Sequence, residues 1–365
     1  MKKIALITIH LGANFGSILQ TIATAKVFKG HQFDTEIINY IPERCTWKRF
    51  FLQSIKTVRN FIKMFFAFPV TVANNHIYNS YLAKFANVSK AIYKSDNFVE
   101  VCPKADIYVT GSDQVWNSSY NEGFDGHYFF ENFPADAVKV AYSSSVGNVK
   151  IGKEEYDKMK TALHSYKAIS VREASAKELI ESMGYEVVHL LDPTFMLNAD
   201  EWKPYMSERM IREPYLLVYL PYNTHDRVLI YKSVRKIADR KKLKVIAFSW
   251  NIFPDKLADK TIFFANPGDF LSLMYYAEYV VTNSFHGTAF SINLNKQFSV
   301  YAPTGYATRI ISILDLCALN GRLLESDEII SDAKMDCQID YGMVNSVLEK
   351  EREKANEFLT KALNH

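Results

Sequence analysis

Thr282-Asn283-Ser284-Phe285-His286-Gly287 sets an imidazole just after the apolar run Tyr279-Val280-Val281. Imidazole titrates near neutral pH, so His286 could pass a proton in either direction. Asn283 and Ser284 are helix-starting residue types, which places Ser284, His286 and Gly287 in the first turn of a helix. There, backbone N–H groups and the positive end of the dipole favour a phosphate or carboxylate. Arg172 and Arg309 add guanidinium groups at loop positions, and Asp113 and Asp192 add carboxylates after other apolar runs. An anionic small donor fits this set. One such turn alone also fits an ordinary capped helix with a core histidine.

The elements that must carry these residues follow from periodicity. Residues 4–9 read as a buried strand, 12–16 as a glycine turn, 17–28 as a helix with apolar residues at helical spacing, and 36–40 as a returning strand. A right-handed βαβ unit of this kind puts Asn14, Gly16 and Ser17 at the carboxyl edge of a parallel sheet, where ligands bind. Apolar runs at 106–110, 138–142, 168–171 and 186–191 end in Gly111-Ser112-Asp113, Ser143-Ser144-Ser145, Arg172 and Asp192-Pro193. A polar stretch at 198–214 is the expected boundary, after which strands at 215–220, 244–249, 279–281 and 298–301 alternate with helices at 226–240, 267–276 and 308–317. The expectation is an α/β protein with two Rossmann-like domains facing across a cleft. An N-terminal α/β domain covers 1–197, a C-terminal α/β domain with the anion-binding helix start covers 214–340, and a C-terminal helix covers 341–365.

With 365 residues, 48% of them hydrophobic, the chain can fill two cores. A net charge of +3 does not call for nucleic acid. The four cysteines lie far apart and suit free thiols in a reducing cytoplasm, and the nine histidines lack metal-ligand spacing, so neither metal nor cofactor is expected. No apolar run reaches the length of about 18 residues that a membrane span needs, which implies a soluble or peripheral protein. One segment, 44–95, has no acidic residue and nine lysines and arginines. Inside it, 47–66 reads as a basic amphipathic helix, with Phe51, Ile55, Val58, Ile62 and Phe65 on one stripe and Lys56, Arg59 and Lys63 beside it. It suits packing on its own domain or contact with an anionic membrane surface or a lipid-linked substrate.

There is no P-loop, no G-x-G-x-x-G after the first strand, no H-E-x-x-H and no G-x-S-x-G elbow, which argues against an ATPase, a dinucleotide oxidoreductase, a zincin and an α/β-hydrolase. Asn14-Phe15-Gly16-Ser17, Gly111-Ser112-Asp113-Gln114-Val115-Trp116, Ser170-Val171-Arg172-Glu173, Asp192-Pro193-Thr194 and Ser284-Phe285-His286-Gly287 occur together in this order. In this the chain resembles the polysaccharide pyruvyl transferase family, from the first strand to about Arg322 and omitting the basic insertion. The resemblance implies a two-domain fold like that of GT-B glycosyltransferases. It also implies transfer of a pyruvyl group from phosphoenolpyruvate to two hydroxyls of a sugar or lipid-linked saccharide, leaving a cyclic ketal in a surface polysaccharide.

In that chemistry His286 is the proton donor or phosphate partner. Arg172, Asn283, Ser284, Gly287 and Arg309 hold the donor, and Asn14, Gly16, Ser17 and Trp116 line the acceptor side. Asp113 suits a catalytic base or an Asx-turn, Trp116 a sugar platform or a core residue, and Arg172 a donor ligand or a surface pair with Glu173 or Glu178. Family members often carry Arg where this chain has Ser284, so Arg309 or a cation of the insertion would replace it, and another anionic donor stays open. A GT-B nucleotide-sugar glycosyltransferase and a non-catalytic membrane-surface component of polysaccharide assembly are the alternatives.

Overall fold

A computed structural model describes residues 1–54, 58–147, 150–222, 227–250, 252–301, 303 and 307–364, leaving aside the side chains of 53, 54, 58–64 and 66. Its contacts divide the chain into two units, Met1–Met196 with Glu351–His365, and Leu197–Lys350. Each unit has its own parallel sheet with helices.

The first unit contains β1 (Lys2–Ile7), β2 (Phe33–Ile37), β3 (Tyr40–Ile41), β4 (Asn87–Val88), β5 (Ile92–Tyr93), β6 (Ile107–Thr110), β7 (Val138–Ser144), β8 (Tyr166–Val171) and β9 (Val188–His189). Seven of them form one sheet in the order β4-β2-β1-β6-β7-β8-β9, while β3 and β5 pair separately. Side chains alternate across the sheet. Ile4 and Leu6 join Phe28, Ile37 and Tyr142 on one face, and Ala5 and Ile7 join Tyr108, Trp116 and Ile169 on the other. Burial on both faces explains why these strands read as continuous apolar runs. The helix Tyr341–Leu363 has the expected span, yet Ala355, Leu359 and Leu363 pack in the Ile4 and Leu6 cluster, so its last turns belong to the first unit.

The second unit contains β10 (Tyr215–Tyr219), β11 (Lys244–Ser249), β12 (Lys260–Phe263), β13 (Tyr279–Thr282), β14 (Gln297–Tyr301) and β15 (Leu323–Leu324), all parallel in the order β12-β11-β10-β13-β14-β15. Strand order reverses between β1 and β6 in the first sheet, and between β10 and β13 in the second. Ligands of open α/β sheets bind beyond the carboxyl ends at such reversals. The chain leaves these ends through residues 8–17, 111–117, 220–222 and 282–287, which carry three of the five motifs.

The basic insertion departs from the single helix expected at 47–66. Two helices form, Trp47–Ser54 and Val58–Phe85. Ile55 and Lys56 lie outside the described residues, as do the side chains of Val58, Arg59, Ile62 and Lys63. Among the described residues, no helix is long and apolar enough to cross a membrane.

Candidate active site

In the first unit four motifs meet in one buried network. Asn14 caps the helix Phe15–Gly30 by accepting from the Gly16 and Ser17 amides, which frees the Ser17 hydroxyl to donate to Asp113 Oδ2 at 2.6 Å. Asp113 holds a left-handed backbone (φ +70°), and its Oδ1 accepts from the Gln114 amide at 2.9 Å and from Arg172 Nη2 at 3.2 Å. Arg172 also donates to Asp192 at 2.5 Å and to the Ser112 hydroxyl at 3.3 Å, and pairs with Glu173 at 3.5 Å. Asp192 in turn accepts from the Thr194 amide and hydroxyl, and Glu173 accepts from Ser145.

Burial opposes a charge on Arg172, but Asp192, Asp113 and Glu173 outweigh it and hold the guanidinium pKa above its ordinary value. The sequence assigned Arg172 to the donor or to an exposed pair. The structure corrects the exposed pair, because all four charged side chains are buried. Three carboxylates lie against the Arg172 guanidinium, so pairing with them is its first role.

Trp116 is also corrected. Its ring is buried and stacks on Phe129 at 5.2 Å, with Tyr166 edge-on at 6.2 Å and Nε1 donating to the Tyr128 carbonyl, so no ring face is left for a sugar. Gly16 is buried inside its helix, where Asn14 binds its amide.

In the second unit, β13 delivers Asn283 and Ser284 to the start of the helix Phe285–Asn293. Ser284 caps it, its hydroxyl accepting from the Gly287 amide at 3.4 Å. Asn283 fastens the neighbouring loop by donating to the Tyr222 carbonyl at 2.7 Å. Gly287 is required by close approach: a Cβ there would lie 2.2 Å from Thr282 Oγ1 and 2.9 Å from the Tyr219 ring. The buried His286 ring stands edge-on to Phe285 at 5.1 Å, and the Arg309 guanidinium lies over the same Phe285 ring at 5.4 Å. Imidazole, guanidinium and the positive end of a helix dipole thus gather about one aromatic ring, a setting suited to an anion that must also receive a proton. The glycine-containing loop before Arg309 falls at 304–306, outside the described residues.

A family model described as polysaccharide pyruvyl transferase matches residues 14–304. The chain belongs to this family. The match starts at Asn14 and stops short of Arg322, so β1 and β15 lie outside the range that identifies this pyruvyl transferase family member. No curated protein matches it significantly in sequence.

Its solved neighbours are distant. UDP-GlcNAc 2-epimerase from Methanocaldococcus jannaschii superposes with a TM-score of 0.54 at 12% identity, covering 95% of this chain and 91% of that one. The same enzyme in complex with UDP-GlcNAc and UDP gives 0.54 at 13%, covering 99% and 98%. UDP-GlcNAc 2-epimerase from Neisseria meningitidis bound to UDP-GlcNAc gives 0.50 at 10%, covering 100% and 99%. At such identity the likeness is one of fold, and that fold is the two-domain α/β fold of GT-B type.

One polar centre of this family member went unread in the sequence. The Tyr40 hydroxyl donates to Asp125 Oδ2 at 2.7 Å, and His127 Nδ1 lies 2.7 Å from Asp125 Oδ1. Burial pushes the Asp125 carboxyl up, but hydrogen bonds from His127 and Tyr40 prevail and hold it below the usual range. Asp125-Gly126-His127 is the local signal, but Tyr40 is far away in sequence and only β3 brings it in. Among the described residues no three His, Cys, Asp or Glu side chains group as metal ligands would.

Proposed function

We propose that the protein transfers a pyruvyl group from phosphoenolpyruvate to two hydroxyls of a sugar, forming a cyclic ketal in surface-polysaccharide synthesis. The observation that carries this reading is the placement of His286 and Arg309 about Phe285 at the start of the helix Phe285–Asn293. Phosphoenolpyruvate brings a phosphate and a carboxylate, and Arg309 supplies the cation that Ser284 does not.

The chemistry needs two additions at one carbon. A first sugar hydroxyl attacks C2 while C3 takes a proton, giving a tetrahedral phospho-ketal. A second hydroxyl then displaces phosphate from C2, and its proton leaves with the phosphate. His286 is the proton donor to C3 or the phosphate partner, and such a group contributes about 10²–10⁴-fold. Helix dipole and guanidinium stabilise the charge on the departing phosphate. Asp113, whose carboxylate already accepts from Ser17, Gln114 and Arg172, holds the loop after β6 in this reading rather than taking a sugar proton.

Incubating the protein with phosphoenolpyruvate and a panel of sugar and lipid-linked acceptors tests it. Released phosphate, with a product mass equal to acceptor plus a ketal-linked pyruvyl group, is expected for at least one acceptor. The GT-B neighbours bound to UDP-GlcNAc supply the rival outcome. Thermal stabilisation by a UDP- or GDP-sugar with indifference to phosphoenolpyruvate would replace this reading with a nucleotide-sugar reaction.

A further inference from the structure

The first helix of the insertion, Trp47–Ser54, leaves large apolar side chains in solvent: Trp47 is 43% exposed, Phe51 40% and Leu52 49%. They are not loose. Trp47 packs edge-on to Phe50 at 5.8 Å and to Phe68 at 5.3 Å, and Phe51 lies 5.5 Å from Phe68, so the rings pack on one another. On the next helix Phe65 is also exposed, at 71%. Beside the cluster opens a shallow cavity of 660 Å³ lined by Trp47, Lys48, Arg49, Leu52, Tyr93 and Lys94, with Glu43 the one acidic side chain on it among the described residues. Arg49 pairs with Glu122 at 3.4 Å at the surface, and the Lys94 charge helps hold the Asp125 carboxyl down.

We propose that this face docks on an anionic lipid surface. Exposed Trp, Tyr and Phe beside Lys and Arg are the side chains that settle at a bilayer interface, with rings at headgroup level and ammonium groups on lipid phosphates. Charge decides the partner. From Arg44 through Ser95 the chain has no acidic residue, so a negatively charged surface meets no repulsion from this segment, while a second copy of the same face would meet its own cations. Pre-packed aromatics lose little side-chain entropy on contact, and among the described residues no helix is long and apolar enough to cross the bilayer. The inference is independent of donor chemistry, and its consequence is that an acceptor embedded in the same membrane would be met at the surface.

The test is sedimentation of the purified full chain with vesicles of phosphatidylglycerol and phosphatidylcholine, against vesicles of phosphatidylcholine alone. Binding to the anionic vesicles that weakens as salt rises is expected, with little binding to the neutral ones. Each cation at such a surface contributes about fivefold to partitioning, so the triple variant Lys48→Gln, Arg49→Gln, Lys94→Gln should bind on the order of a hundredfold less. A Trp47→Ser, Leu52→Ser variant with unchanged thermal stability should lose binding that salt removal does not restore. Equal binding to both vesicle types, wild-type affinity in both variants, or a dimer formed through this face with no vesicle binding would each overturn the proposal.

Discussion

The two strand-order reversals place similar residue types in opposite roles. Beyond β1 and β6, hydroxyls, carboxylates and Arg172 bind one another across four separate motifs, and the result is a buried polar knot inside the first unit. Beyond β10 and β13, the polar side chains do local work: Ser284 caps, Asn283 fastens a loop, and Gly287 lets the helix approach the strand. There His286 and Arg309 both lie against the Phe285 ring. A motif string therefore mixes residues that build a strand end with residues that use it, and burial with charge balance separates them.

Removing Arg172 should break the comparison most severely. An Arg172→Ala protein leaves three buried carboxylates without their cation, and breaking a buried pair costs about 3–5 kcal/mol. Urea unfolding reads the loss; wild-type stability would mean that the knot does not hold the first unit together. A smaller loss is expected in the second unit. Gly287→Ala drives a methyl group into Thr282 and Tyr219, and overpacking of this kind costs about 1–3 kcal/mol, seen as a lowered unfolding midpoint along with weaker donor binding. An unchanged midpoint would show that helix and strand can separate freely.

The mildest effect concerns acid. Burial lowers the pKa of His10, whose ring lies between the Thr8 carbonyl and Asn39, and that of His189. Both folded-state pKa values lie below the unfolded one, so their contribution is fully present above about pH 6.5 and is lost as pH falls through the folded values. Both residues are in the first unit. Thermal unfolding followed from about pH 7.5 down to 5.5 should show a falling midpoint that His10→Gln flattens, and a slope identical in the variant would remove His10 from the account.

Much of the fold was legible because its signals are local. Asn266-Pro267-Gly268-Asp269 forms a capping box, and the helix Pro267–Tyr276 has the span its sequence predicts. Edge strand β12 escaped notice because Lys260–Phe263 is half exposed and lacks a clean apolar run. The left-handed backbones at Asp113 and Ser143 were invisible because nothing in those side chains demands them; the surrounding hydrogen bonds do. Trp116 and Arg172 show the same limit: the sequence gives their chemistry, whereas Phe129 in one case and three carboxylates in the other determine what remains available. The helix start at Ser284 was legible because it is written contiguously in sequence, and the contact of Tyr40 with Asp125 and His127 was not because Tyr40 lies far from the other two.

Phosphate release from phosphoenolpyruvate, measured on the wild type and on His286→Ala in the presence of a competent acceptor, is the most direct test. The account predicts that the variant unfolds at the wild-type temperature yet turns over about 10²–10⁴ times more slowly. A His286→Ala protein that releases phosphate at the wild-type rate would contradict it.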